Sequence, residues 1–293
     1  DCTICTTLVD TIVPGRIRDP KEAAAVAERL GYEDPFLAVR EPFQMWGIQG
    51  DESLAEKLPF VKAGLPGVFV TPDVTPYKKR KVRILNGAHT AFVPGSWVAG
   101  FDIVRDCMHD ETIRGFMNTM LYDEVIPTLA ADLDVEDCKA FAAAVENRFD
   151  NPFIDHALLS ICLNSTAKWR ARDLPTLKDY VAETGNLPKC LATSLATLIA
   201  FYTQELVARE GDGLHLRRAD GTEYTAQDDA FELDFYAAHA GADDAELVHD
   251  VLSNEQMWGE DLTQIAGLEE FVVNALAIVR AEGVKQAFAN AQA

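Results

Sequence analysis

Three polar residues, Lys81, Asn86 and His89, lie close together in "PYKKRKVRILNGAHT" and form a set that could handle a substrate oxygen. An amide NH₂ donates a hydrogen bond, an imidazole donates or accepts one, and an amine can exchange a proton once its pKa falls from about 10.4. On an α-helix entered after Pro76, about 100° per residue puts Asn86 and His89 roughly 60° apart, with Lys81 roughly 80° from His89 and 140° from Asn86. The lysine stem is long enough to close that gap. Five of the six residues from Lys78 to Arg83 are basic, and like charge together with partial burial penalises an ammonium. Lys81 is therefore a candidate general base for an alcohol, in a local field that attracts anions. Two plainer readings stay open at this point: a polyanion-binding string, or a solvated basic helix start with Asn86 and His89 as interior polar residues.

The rest of the chain must position these groups. Its 293 residues are 48% hydrophobic and 25% charged, which suits a globular protein with one large core or two moderate ones. A formal net charge of -21 argues against broad nucleic-acid binding, because a cationic face is needed to displace counterions from phosphates. The longest apolar run, "CLATSLATLIAFYT", is too short for a bilayer span of roughly 18 to 20 residues and reads as a buried helix. Six scattered cysteines suit reduced thiols and a cytoplasmic setting. Cys2-x-x-Cys5 has no second pair or flanking histidine to complete a metal site, so no metal is expected. The opening residues lack the pattern of a secretory leader, and Asp1 in place of Met suggests a longer protein.

Up to residue 72, "TTLVDTIVPG", "AVREPFQMWGIQG" and "GVFVTPDV" read as strands. The segment "DPKEAAAVAERLGY" reads as a helix, with Asp19-Pro20 at its start and Gly31 at its end. From residue 73 to 293, helical spacing dominates. The runs include "DETIRGFMNTMLYDEVIPTLA", "DVEDCKAFAAAVENRF" and "LPKCLATSLATLIAFYTQELVA". Arg209 to Asp229 reads as a loop or hairpin. The expectation is a mainly α protein with a short β-containing start. No G-x-G-x-x-G follows a strand, so these residues alone have no usual dinucleotide cradle.

The spacing Lys81-x4-Asn86-x2-His89 resembles the signature of the polyol-specific long-chain dehydrogenases, the mannitol dehydrogenase family. Similar segments follow in the family's order: "CTTLVDTIVPG", "REPFQMWGIQG", "NRFDNPFIDHALLSICLNSTAKWRAR" and "MWGEDLTQIAGLEE". The context of the first motif is similar to the branch that interconverts tagaturonate and altronate. The resemblance implies a multi-helical C-terminal dehydrogenase domain, like that of 6-phosphogluconate dehydrogenase, preceded by the last strands of a Rossmann-type domain. It also implies metal-independent NAD chemistry on a small sugar acid, with fructuronate reduction or mannitol and other polyol oxidation as the alternatives.

Carried onto this chain, the resemblance makes Lys81 the general acid/base and Asn86 and His89 the groups that polarise the reacting oxygen. Arg148 becomes a candidate for a substrate hydroxyl or carboxylate. Asp10, with Val9 beside it, is expected near nicotinamide and sugar. Lys78, where mannitol-oxidising relatives tend to have glutamate, suits a substrate with its own carboxylate. The glycine-rich loop of the family is absent, so the chain alone is expected to be inactive, with an open sheet edge prone to pairing.

Overall fold

The three strand-like runs form one small sheet in the computed structural model, which describes residues 2–17 and 19–293; Asp1 lies outside them. Strand β1 (Thr7–Asp10) pairs antiparallel with β2 (Met45–Gln49), and β2 pairs parallel with β3 (Val68–Thr71). Along β1 the side chains alternate, with Leu8 and Asp10 buried and Thr7 and Val9 exposed. Helix α1 (Pro20–Leu30) starts and stops where the sequence indicates. Asp19 accepts from Lys21 N–H, Pro20 opens the first turn, and Gly31 ends the helix at φ 79°. The short helices α2 (Glu52–Lys57) and α3 (Pro59–Lys62) lead into β3.

The chain divides into two compact units, Asp1–Lys81 with Pro152–Asp155, and Val82–Asn151 with His156–Ala293. This division falls later than residue 72. Helix α4 (Thr75–Arg80) stays with the strands because Tyr77 packs against Phe69 at 5.2 Å and Val74 is buried. The main chain continues from α4 through a six-residue π-helical turn, Lys81–Asn86, into α5 (Gly87–Val98).

The second unit is helical, as expected for a mainly α protein. After α6 (Val104–His109) comes α7 (Glu111–Thr119), capped by Asp110. The helix expected to run on from there changes character. Met120–Val125 is a second π turn, and Pro127–Leu129 a 3₁₀ turn. Helix α8 (Val135–Phe149) is capped by Asp134, and α9 (Leu158–Ile161), α10 (Ser165–Arg172) and α11 (Leu174–Thr184) follow.

At the centre lie α5 and α12 (Lys189–Tyr202). Every residue from Gly87 to Trp97 and from Cys190 to Tyr202 is buried, as expected of helices apolar all round. A Cβ on Gly95 would stand 2.8 Å from the Phe288 ring and 3.0 Å from Thr197, so glycine there permits close approach. Helix α12 begins at Pro188 without a cap of its own. Glu124, from the second π turn, accepts from Cys190 N–H at 2.7 Å and Leu191 N–H at 2.9 Å instead.

The segment read as helix through Ala208 and then as a loop or hairpin to Asp229 is a three-stranded antiparallel sheet. It comprises β4 (Glu205–Glu210), β5 (Gly213–Arg217) and β6 (Glu223–Ala226). Helix α12 stops at Tyr202 because the next two side chains fold back on its carbonyls. Thr203 donates to Ile199 O and Gln204 to Ala200 O. Leu214, Leu216, Tyr224 and Ala226 then give the sheet a buried face. Buried Arg218 fastens its end to α5, lying over the Trp97 ring at 4.2 Å and donating to Trp97 O at 3.0 Å.

The remaining helices, α13 (Ala230–Ala238), α14 (Asp244–Leu252), α15 (Glu255–Trp258), α16 (Leu268–Glu282) and α17 (Val284–Ala291), complete the unit. Of these, α16 and α17 pack on α12.

Candidate active site along the helix from Lys81 to His89

The turn that carries Lys81 and Asn86 is π-helical, which corrects the α-helical geometry expected from sequence. Hydrogen bonds from residue i to i+5 widen the turn, which narrows the angle between positions five apart. Lys81 and Asn86 are such a pair along the chain. Both are half-buried. Ile84 and Leu85 fill the inward side of the turn.

His89 lies three residues beyond Asn86, in the first turn of α5, and is only 6% exposed. Its ring stacks on Phe149 at 4.0 Å with an interplanar angle of 16° and meets His156 edge-on at 5.5 Å. Phe149 is the last residue of α8 and follows Arg148, so the segment "RFDNP" reaches His89 through its phenylalanine. Arg148 is half-buried. His156 was not singled out from sequence. Burial pulls its imidazole down to about 4, which keeps the ring neutral at neutral pH. The one signal available was a histidine closely following "RFDNP".

The other expected site residues belong to the first unit. Lys78 is exposed on α4, Asp10 is buried at the end of β1, and the neighbouring Val9 is 55% exposed. Helices α1 and α2, which follow β1 and β2, begin on carboxylates. Asp19 accepts from Lys21 N–H and Asp51 from Leu54 N–H, one N-terminal amide at each of these turns.

Asp228, Asp229 and Glu232 bring candidate metal-ligand atoms within 4.8 Å of one another. They sit at the start of α13, where the helix dipole favours acids, and Asp228 already accepts from the Tyr202 hydroxyl and Thr166 N–H. No helix among the described residues is long and apolar enough to cross a membrane.

The profile of the mannitol dehydrogenase C-terminal domain matches residues 73–280. The chain belongs to the mannitol dehydrogenase family. An altronate oxidoreductase of Yersinia enterocolitica is 42% identical over 98% of this chain and 57% of its own length. One from Klebsiella pneumoniae is 44% identical over 97% of this chain and 56% of its own. The chain thus spans about half the length of the curated relatives it matches. Pseudomonas fluorescens mannitol 2-dehydrogenase, solved as a ternary complex with NAD and D-mannitol, matches with a TM-score of 0.78 at 22% identity, covering 98% of this chain and 54% of that one. A substrate-free D-sorbitol dehydrogenase matches at 0.74 and 21%. Both share the family's fold.

Proposed function

We propose that the protein carrying this chain is an NAD-dependent oxidoreductase that reversibly reduces tagaturonate to altronate. The observation that supports the chemistry is the π turn Lys81–Asn86, which leads into the first turn of α5, where His89 stacks on Phe149. The identity to altronate oxidoreductases over almost the whole chain supports this choice of substrate. Lys81 exchanges the proton of the reacting oxygen, while the Asn86 amide and the His89 ring hold that oxygen and stabilise charge developing on it. Arg148 and Lys78 are assigned to the sugar acid's hydroxyls and carboxylate, and Asp10 with Val9 to the edge where sugar and nicotinamide meet. The bound cofactor would supply the hydride in tagaturonate reduction, as NADH, and the hydride acceptor in altronate oxidation, as NAD. Its phosphates are not assigned to any residue described here, so activity belongs to the whole protein.

The test is an assay of the full-length enzyme with altronate, mannonate and D-mannitol, following NADH. Altronate should be preferred. Lys81→Ala should lower kcat by about 10²–10⁴, and Asn86→Ala by about 10²–10³. Faster turnover of mannonate or mannitol would move the assignment to fructuronate or a neutral polyol. Full activity in Lys81→Ala would remove the proton-transfer role. Lys78→Glu should narrow the preference for altronate over D-mannitol.

A further inference from the structure

The π turn at Lys81–Asn86 changes to α-helix at Gly87, a rare change of hydrogen-bond register. Two residues of the turn, Arg83 and Asn86, and Gly87 just beyond it lie against the corner where α10 meets α11. Arg83, within the turn, donates to Thr176 Oγ1 at 2.5 Å and lies 3.4 Å from Asp179. The Asn86 carbonyl accepts from Thr90 Oγ1 at 2.9 Å; Arg172 Nη1 donates to that same hydroxyl at 2.9 Å and reaches the carbonyl at 3.5 Å. Gly87 lies against buried Asp173, since a Cβ there would stand 2.8 Å from Asp173 Oδ1.

A threonine bonded back to the carbonyl four residues earlier is common in helices and would need no comment alone. The arginine is the unusual partner. Arg172 comes from a segment far away in sequence and donates a hydrogen bond to the hydroxyl that secures the Asn86 backbone. Asp173 is buried at the same corner. Burial pushes its carboxyl well above the usual range, and the positive charges of Arg172 and Arg83 oppose that.

We propose that Arg172, acting through the Thr90 hydroxyl, is a positioning residue that holds the Asn86 backbone where the π turn passes into α5, and so sets the direction of the Asn86 side chain. It does not touch the substrate. The catalytic part of this inference rests on the functional reading above, whereas the backbone part does not.

The experiment uses the full-length enzyme with Thr90→Val, which keeps shape and removes the hydroxyl, Thr90→Ser, which restores it, and Arg172→Lys. Thr90→Val is expected to lower kcat about 10- to 100-fold, since small misplacements of catalytic groups cost this much. KM for NAD should stay unchanged. Thr90→Ser should recover kcat to within about three-fold of wild type and Arg172→Lys should fall between. Amide exchange over residues 82–90 should quicken in Thr90→Val while α12 keeps its protection. Equal kcat in Val and wild type, equal loss in Val and Ser, or unaltered exchange over 82–90 would overturn the proposal. If the wild-type enzyme turned over no uronate or polyol, the functional reading would fail, and the exchange comparison would still decide the role of Arg172. If Thr90→Val did not fold, Arg172→Lys would be read by the same kcat and exchange criteria.

Discussion

Helices α1 and α12 show how differently the two units are made. Helix α1 has a capping aspartate, a proline at its start and a left-handed glycine at its end, yet none of its residues is buried. Helix α12 has no cap of its own, and every residue from Cys190 to Tyr202 is buried. The contrast extends beyond these helices. Apart from Leu163 and Val207, the large apolar side chains that stand exposed all belong to the first unit, with Ile4 at 97% and Phe36 at 81%. In the first unit, order comes from local signals and strand pairing. In the second it comes from packing, and local signals can be poor because distant residues supply what is missing.

The sharpest way to break this contrast is to truncate one large side chain in each unit. Trp169 is fully buried and donates to Ser194 Oγ at 2.9 Å, so Trp169→Ala should cost about 3–5 kcal/mol in urea unfolding. Phe36→Ala should change stability by no more than about 0.5 kcal/mol. Comparable losses in the two variants would show that the first unit buries Phe36 in solution.

A smaller effect is expected at Glu124. Glu124→Ala leaves two buried amides of α12 without their acceptor and should cost about 1–3 kcal/mol. The pH dependence sharpens the point. Burial pushes the Glu124 carboxyl up to about 7, so the folded chain holds that proton more tightly than the unfolded chain. Its contribution is therefore fully present below pH 4.5 and is lost as pH rises through about 7. His156 works in the opposite sense. Its pKa falls from 6.5 to about 4, so its contribution is present above pH 6.5 and lost as pH falls through about 4. The two slopes oppose each other over most of that range. Urea midpoints between pH 4 and 7 should rise with pH more steeply in Glu124→Gln than in wild type, and His156→Gln should tilt them the other way. Parallel profiles in both variants would show that neither group titrates as described.

The smallest effect is expected at the surface of the first unit. Lys62 pairs with Glu56 at 3.0 Å, but both side chains are about two-thirds exposed. Lys62→Ala should leave the unfolding midpoint where it is, since solvent screens such pairs.

Much of this was legible from sequence where signals are local. Asp19, Pro20 and Gly31 bound α1 as read, and β1, β2 and β3 fall within the expected runs. In the sheet from Glu205 to Ala226, β5 and β6 form a hairpin within the run read as loop or hairpin, but β4 was missed, because its outer side chains are polar and its apolar residues come singly between them. The π turn at Lys81–Asn86 was equally hidden: six residues are too few for their periodicity to separate a π from an α register. Lys81, Asn86 and His89 could be picked out by type and spacing, but the partners that surround them could not. Phe149, His156 and Arg172 reach this segment from far along the chain, and no local pattern announces such contacts.

The reliance of α12 on Glu124 also limits how the protein can be shortened. A piece beginning beyond residue 125 would keep the whole of the most buried helix and lose the one carboxylate that receives its opening amides. Anyone trimming this polypeptide for expression would need to keep both α5 and the turn that carries Glu124.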